Sequence, residues 1–190
     1  MKICVVGAGS IGGYVGVKLA QAGEDVTLIA RNANLEAIRS RGMRLTMSDG
    51  VEHVVRQVKA TASLAEAGQQ DLVILGMKAN QVAAVVKDLH HLLHDNTIIM
   101  PMQNGIPWWY FQRHAGGFED RVVHSVDPEG LIMKAIDPAR IIGCVVYPAC
   151  ELAAPGWVRH IEGDRFPLGE LDGSESEGVL ALSAMFARAG

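Results

Sequence analysis

The first thirty residues show a pattern of apolar and polar positions that predicts a strand, a helix and a second strand. An uninterrupted apolar run, Ile3 to Val6, is typical of a strand buried on both faces of a parallel sheet. From Ser10 to Ala22 apolar residues recur at helical spacing, and Gly23 ends the predicted helix. Val26 to Ile29 is a second apolar run. Two such strands joined by a helix indicate a right-handed parallel crossover.

The middle of the chain repeats these patterns with wider spacing. The predicted elements are a helix over 34–41, strands over 43–47 and 51–58 joined by a turn at Ser48-Asp49-Gly50, a strand over 72–75, a helix over 80–93 and a strand over 97–100. Residues 106–140 are rich in proline and glycine and predict loops and short elements.

The last fifty residues predict further strands and a final helix. Apolar runs over 141–147, 157–161 and 166–168 are spaced like an antiparallel addition to the sheet. Ser174 and Glu177 form a capping-box pattern ahead of an amphipathic helix that runs towards Gly190. We therefore predict an α/β fold: a Rossmann-like, doubly wound, mostly parallel sheet with an antiparallel extension, formed by residues 1–190 as one dinucleotide-binding domain.

Composition and charge argue against several classes of protein. The 190 residues are 49% apolar and 20% charged, which argues against disorder. The net charge of −4 gives no reason to expect a nucleic-acid partner. The three cysteines have no C-x-x-C spacing, and no apolar stretch approaches the length of a membrane span or a secretory signal. We expect a soluble, cytoplasmic protein with no membrane partner, and the apolar face of the last helix leaves homo-oligomer formation open.

The strongest motif is the G-x-G-x-x-G turn between the first strand and the first helix, formed by Gly7, Ala8, Gly9, Ser10, Ile11 and Gly12. In dinucleotide-binding folds the first glycine allows the tight turn, the second lets the backbone approach a pyrophosphate, and the third permits close helix–strand packing. The alternative is a glycine-rich turn without a ligand. Both flanking elements match the motif and favour the dinucleotide.

The end of the second predicted strand indicates which dinucleotide is bound. An NAD site normally has an acidic residue there to hold the ribose 2′-hydroxyl. This chain has Arg31 instead, and the nearest acid, Asp25, lies at the beginning of the strand. A guanidinium suits a 2′-phosphate, so NADP(H) is favoured over NAD(H). The alternative is a solvated surface arginine.

Four segments of the sequence resemble the ketopantoate reductases (2-dehydropantoate 2-reductases). They are the opening KICVVGAGSIGGYVGVKLAQAG with IARN, the stretch Gly76-Met77-Lys78-Ala79-Asn80-Gln81, the turn Pro101-Met102-Gln103-Asn104-Gly105, and Pro155-Gly156-Trp157-Val158-Arg159-His160 with Leu168-Gly169-Glu170. The resemblance covers nearly the whole chain in order. One departure is the 106–140 stretch, which is longer than the family's usual connection and leaves the identity of the 2-keto acid open.

The resemblance implies NADPH-dependent reduction of 2-dehydropantoate to pantoate in pantothenate biosynthesis. It implies that Lys78 and Asn104 line the cofactor site and that Asn104 also contacts the substrate. Taken alone, these residues could be an exposed lysine at a helix start and a simple Asn-Gly turn. In this family a second, helical domain supplies the general-acid lysine, and the 190 residues contain no counterpart. The catalytic residue is therefore unknown, and we expect no activity from this chain alone.

Two other functions stay open from the sequence. One is an NADP-dependent dehydrogenase of another 2-keto or hydroxy acid, and the other is a non-catalytic NADP(H)-sensing module on the same fold. No metal site is predicted, because no cysteine or carboxylate completes a ligand spacing with His90 and His94. The aromatic run Trp108 to Phe111 is expected to pack beneath a loop.

Overall fold

The computed structural model describes residues 1–190. Its strands are β1 (Lys2–Val6), β2 (Asp25–Ile29), β3 (Met43–Thr46), β4 (Glu52–Val55), β5 (Lys59–Thr61), β6 (Leu72–Leu75), β7 (Ile98–Pro101), β8 (Ile142–Cys144), β9 (Ala149–Ala154), β10 (Trp157–Glu162) and β11 (Leu168–Glu170). Its α-helices are α1 (Ser10–Gln21), α2 (Asn32–Arg41), α3 (Leu64–Ala67), α4 (Leu131–Ala135) and α5 (Glu177–Ala189). Three 3-10 helices span Ala79–Ala84, Val86–Leu92 and Pro138–Arg140.

The central sheet has five strands, all parallel, in the order β5-β2-β1-β6-β7. In register, Ile3 of β1 lies opposite Val26 of β2 and Leu72 of β6. The order reverses direction at β1, so the connections leave on opposite sides of this strand, as in doubly wound folds. The predicted fold class is confirmed.

Buried side chains lie on both faces of the central sheet, which explains why its strands read as continuous apolar runs. Ile3 and Val5 of β1 belong to one apolar cluster, together with the inner face of α1. Cys4 and Val6 point to the other face and belong to a second cluster.

The antiparallel addition is present as two further sheets, and a single parallel bridge between Ile99 of β7 and Ile141, directly before β8, links one of them to the central sheet. One has the order β4-β3-β10-β9, with β10 parallel to β3 and antiparallel to β9. The other pairs β11 with β8. The four-stranded sheet covers α1 closely: a Cβ on Gly13 would lie 2.3 Å from Met43 Cε and 2.8 Å from Val158 Cγ2.

The predicted strand over 51–58 is wrong in its second half. It ends at Val55, and a separate strand, β5, then forms the edge of the central sheet beside β2. The predicted turn over residues 48–50 is present: Gly50 has φ +85° and donates its N–H to the Met47 carbonyl at 2.9 Å.

The predicted helix over 80–93 is two 3-10 helices instead. Hydrogen bonds from Val85 N–H to the Val82 carbonyl and from Asp88 N–H to the Val85 carbonyl, both 3.0 Å, span three residues rather than four. Several valines occur in this segment, and β-branched residues lower α-helical propensity.

Two more local differences concern helix beginnings. The last helix is capped by Ser176, whose hydroxyl accepts from Val179 N–H at 3.1 Å, and not by Ser174. The loop-rich stretch contains α4, whose first N–H groups are held by the buried Asp127 carboxylate. No helix of the structure is both long and apolar enough to cross a bilayer.

Candidate functional site: the glycine turn and the adjoining cleft

The glycine turn is closed by contacts between backbones. Gly7 has φ +102°, which favours glycine, and a Cβ on Gly12 would lie 2.1 Å from the Gly7 carbonyl oxygen. Gly76, at the end of β6, packs against the same place, since its Cβ would lie 2.9 Å from Gly12 Cα. These three glycines let α1 begin directly against the ends of β1 and β6. Gly76 lies in a motif that the sequence singled out, but its packing role was not predicted.

The N-terminus of α1 is open. Gly9 caps the helix without any side-chain hydrogen bond, and the N–H groups of Gly9 through Gly12 donate to no protein acceptor. A Cβ on Gly9 would meet no atom within 4 Å, in contrast to Gly7 and Gly12. Free N–H groups at a helix N-terminus, with empty space beside Gly9, form the kind of site that can bind a pyrophosphate.

Arg31 lies at the end of β2, directly before α2. It is exposed and has extended backbone geometry, and no carboxylate lies within 4 Å of its guanidinium. Asp25, at the opposite end of β2, forms an ion pair with Lys59 at 2.9 Å. The carboxyl end of β2 therefore presents a free cation and no acid.

A cleft of about 340 Å³ adjoins the start of α1 and the ends of β6 and β7. Its lining residues are Ser10, Ile11, Gly76, Met77, Lys78, Ala79, Met102, Gln103, Asn104, Val146 and Pro148. Four predicted site residues thus lie together: Ser10, Ile11, Lys78 and Asn104. The other predicted residues belong to the glycine turn or, for Arg31, to the end of β2, and do not line this cleft.

Lys78 brings the cleft its free positive charge. The residue is exposed, and no carboxylate lies within 4 Å of its ammonium group. Its backbone N–H donates to the Gln81 side chain at 3.3 Å, which fixes the start of the following 3-10 helix. The ammonium group is left available to an anion or a keto oxygen.

Asn104 holds one wall of the cleft. Its amide donates to the Val146 carbonyl at 2.8 Å and accepts from the Val146 N–H at 3.1 Å, joining the turn after β7 to the segment after β8. The amide oxygen and nitrogen each retain capacity for one more hydrogen bond. The predicted contacts of Asn104 with cofactor and substrate stay predictions.

Two amide side chains that the sequence did not single out as site residues also shape this region. Gln103 donates to the carbonyls of Leu75 and Met77, at 2.7 and 3.0 Å, and so holds the end of β6 ahead of Lys78. Asn34 donates to the Ala8 carbonyl of the glycine turn at 2.7 Å. No local pattern reveals these roles, because the partners lie at least 26 residues away in sequence.

The three thiols of the chain, two of them buried and that of Cys150 partly exposed, are not candidates for nucleophiles. Burial raises the pKa of Cys4, within β1, to about 12, and does the same for Cys144 and Cys150. A second cavity, of about 240 Å³, lies further along α1 against α5 and is lined mainly by apolar side chains, with Tyr14, Phe166 and Phe186 among them.

The histidines and aromatic residues singled out in the sequence lie outside the cleft. His94 contacts Asp71 at 3.2 Å, whereas His90 contacts the Lys87 carbonyl at 2.8 Å, and no group of three potential ligands is present. Trp108 is buried in the apolar cluster on one sheet face, and Trp109 packs against that cluster.

Comparison with known proteins places the whole chain in one family. Residues 3–173 match the family described as ketopantoate reductase PanE/ApbA. A 2-dehydropantoate 2-reductase of Mesorhizobium japonicum is 47% identical over 191 residues, covering 100% of this chain and 58% of that protein. The crystal structure of a protein of Ralstonia solanacearum MolK2, provisionally assigned as a ketopantoate reductase, is also similar. It superposes with a TM-score of 0.93 at 40% sequence identity, and the match covers 100% of this chain and 58% of that chain.

A structure of lower sequence identity shows similarity of the fold alone. D-mandelate dehydrogenase in complex with NADH and anilino(oxo)acetate has a TM-score of 0.75 at 24% sequence identity, and the match covers 100% of this chain and 55% of the dehydrogenase chain. The chain spans somewhat more than half the length of the relatives that it matches. With a family match over nearly its full length and a relative 47% identical, this chain belongs to the ketopantoate reductase family.

Proposed function

We propose that this chain is the NADP(H)-binding part of an enzyme that reduces 2-dehydropantoate to pantoate, a step of pantothenate biosynthesis. The observation that carries the proposal is the open N-terminus of α1, where four N–H groups have no protein partner and Gly9 leaves space for a ligand. The free N–H groups of Gly9, Ser10, Ile11 and Gly12 would hold the pyrophosphate, while Gly7 and Ala8, whose N–H groups donate to the Ile29 carbonyl, would shape the turn around it.

The preference for NADP(H) rests on Arg31. A guanidinium without a carboxylate partner at the end of β2 can form charge-assisted hydrogen bonds to a 2′-phosphate, and no acid is present to hold a free 2′-hydroxyl. The D-mandelate dehydrogenase with a similar fold is described with NADH, so the family fold itself does not decide between the two dinucleotides.

The cleft beside the turn suits a small 2-keto acid. The substrate is an anion, and Lys78 places a free ammonium group in the cleft. Asn104, already fixed by Val146, can offer one further donor and one further acceptor to cofactor or substrate. When bound, the reduced nicotinamide supplies a hydride to the keto carbon. The keto oxygen then takes up a proton, which we assign to a lysine outside these 190 residues, because the family resemblance places the general acid there.

The test is NADPH oxidation followed at 340 nm with 2-dehydropantoate. We expect no measurable turnover from the 190-residue chain and robust turnover from a protein that also carries the second domain of the family. Loss of positioning costs about 7–11 kcal/mol of barrier lowering, and loss of a general acid costs a further factor of about 10²–10⁴. Turnover by the 190 residues alone would place the proton donor among them, with Lys78 the first candidate. NADPH oxidation only with another 2-keto acid, or NADP⁺ reduction only with another hydroxy acid, would change the substrate, and NADPH binding by the longer protein without any turnover would indicate a sensor.

A further inference from the structure

We infer that Asn34 is a positioning residue for the dinucleotide: its amide locks the Ala8–Gly9 peptide so that the Gly9 N–H faces the pyrophosphate. The inference rests on the proposed dinucleotide site. It concerns the first of the four free N–H groups, that of Gly9, in the turn between β1 and α1.

The peptide between Ala8 and Gly9 needs an external constraint. Glycines stand on both sides of Ala8, and glycine adopts many backbone conformations at little cost. The Ala8 N–H is already fixed, because it donates to the Ile29 carbonyl at the end of β2, at 2.9 Å. The Ala8 carbonyl is fixed by the Asn34 amide at 2.7 Å. In a planar trans peptide the carbonyl and the following N–H point in opposite directions, so holding the Ala8 carbonyl also aims the Gly9 N–H.

Asn34 is itself held from its other side. Its amide oxygen accepts the N–H of Gly156 at 2.7 Å, from the turn that joins β9 to β10. That turn is confined: Gly156 has φ +74°, and a Cβ there would lie 3.0 Å from Ala37 Cβ of α2. Only one orientation of an asparagine amide can donate to a carbonyl and accept from an N–H at these places. Asn34 therefore connects the glycine turn to the second sheet through two specific hydrogen bonds.

The substitution Asn34→Asp removes one of the two hydrogen bonds and keeps the other. A carboxylate still accepts from Gly156 N–H, but it cannot donate to the Ala8 carbonyl and instead sets an oxygen against an oxygen. A protonated carboxyl has an O–H that can donate to the Ala8 carbonyl again. The defect should therefore depend on pH, which a general loss of packing would not. The near-isosteric Asn34→Leu loses both bonds at every pH and is the matched control.

The experiment measures the Kd of NADP⁺, which is stable in acid, and of NAD⁺ for the wild-type chain and both variants between pH 8 and pH 4, because an aspartate takes up its proton near pH 4 and the facing carbonyl raises that value. At pH 8 we expect Asn34→Asp to bind both dinucleotides about tenfold more weakly than wild type, because the pyrophosphate is common to both. On acidification the ratio of variant to wild-type Kd should fall towards one. The ratio for Asn34→Leu should stay high throughout.

The outcomes distinguish this inference from the proposed function. Wild-type affinity in Asn34→Asp at pH 8, or a ratio that does not change with pH, would overturn the role of Asn34 alone. No NADP⁺ binding by the wild type would overturn the proposed function. Should the variants not fold, the wild type still provides a test by NMR. The Asn34 side-chain N–H that donates to Ala8 should be protected from solvent exchange and shift on NADP⁺ addition, and an unprotected, unshifted N–H would contradict the inference.

Discussion

The two outer glycines of the G-x-G-x-x-G turn and its central one have different physical roles. At Gly7 and Gly12 an added Cβ meets backbone at 3.0 Å or less, so these residues are required for the chain to fold into this turn. At Gly9 the Cβ direction is empty, and the backbone (φ −82°, ψ −149°) lies outside the regular helical and β regions. No protein atom occupies the space beside Gly9, which leaves it free for a ligand.

This difference predicts opposite outcomes for two substitutions. Gly9→Val should give a chain with native circular dichroism that no longer binds NADPH, because the branched side chain fills the space above the helix N-terminus. Gly12→Ala should lower the free energy of unfolding by several kcal/mol, about what overpacking against rigid backbone costs. Denaturant unfolding and NADPH titration of both variants test this. Retained NADPH affinity in a folded Gly9→Val chain would show that the phosphates lie elsewhere.

Arg31 provides a second prediction at the scale of a single residue. Hydrogen bonds from a guanidinium to a phosphate contribute about 1.5–3 kcal/mol, so Arg31→Ala should weaken NADPH binding by about tenfold or more. NADH has no 2′-phosphate, and its affinity should change little. Calorimetric titration of both dinucleotides measures the two effects. An equal loss for both would mean that Arg31 acts on the fold or on a shared part of the cofactor.

At the scale of whole elements, the N-cap of α5 is Ser176, two residues after the serine predicted from the sequence. Ser176 accepts from Val179 N–H and donates to the Glu170 carboxylate at 2.6 Å, whereas Ser174 contacts only Asp172 in an exposed turn. Losing a cap of this kind costs about 1 kcal/mol. We expect Ser176→Ala to lower the free energy of unfolding by at least that amount and Ser174→Ala to change it by less than half as much. Urea denaturation of the two variants measures both effects. A larger loss of stability for Ser174→Ala would support Ser174 as the cap, as predicted from the sequence.

Elements that the sequence predicts well are those whose signals are local. The apolar runs of β1, β2, β6 and β7 and the spacing in α1 identify the parallel core, because each strand is buried on both faces. The strand β5 was not predicted, because its three residues are too few to show a pattern and it begins with the exposed Lys59 at the sheet edge. The assignment of β9 and β10 to a separate sheet depends on pairing with β3, more than a hundred residues earlier, and no periodicity encodes a partner at that distance.

The same distinction applies to the site. The glycine turn, Arg31, Lys78 and Asn104 stand beside strand ends, where sequence patterns point to ligand contacts. The roles of Asn34 and Gln103 depend on backbone partners distant in sequence, and the Asn34–Gly156 bond spans 122 residues. Such contacts exist only after the strands have assembled. The residues that shape the site were therefore less predictable than those that face the ligand.

For the molecule as a whole, the buried thiol of Cys4 predicts how stability depends on pH. Burial raises its pKa to about 12 in the folded chain, whereas an unfolded cysteine ionises near 8.5. Between these values the unfolded chain loses the proton and the folded chain keeps it, so the free energy of unfolding should fall as pH rises above about 9. Cys4 contributes up to about 1.4 kcal/mol per pH unit in that window.

Urea unfolding at pH 7 to pH 11 measures this dependence, with Cys4→Ala as the control. The variant should be less stable at neutral pH, because it leaves a cavity beside the sheet, but its stability should fall less steeply in base. Identical slopes for wild type and variant would show that the Cys4 thiol ionises normally within the folded chain.

The most direct test of the central claim is calorimetric titration of the 190-residue chain with NADPH, run beside NADH and with Gly9→Val as a non-binding control. The account predicts saturable binding of one NADPH per chain, weaker than an enclosed cofactor site would give, and more than about tenfold tighter than NADH. The Gly9→Val chain should give no saturable heat. Equal affinities for NADPH and NADH would contradict the assignment of Arg31, and absence of saturable NADPH binding to the folded wild-type chain would contradict the proposal that the glycine turn is a dinucleotide site.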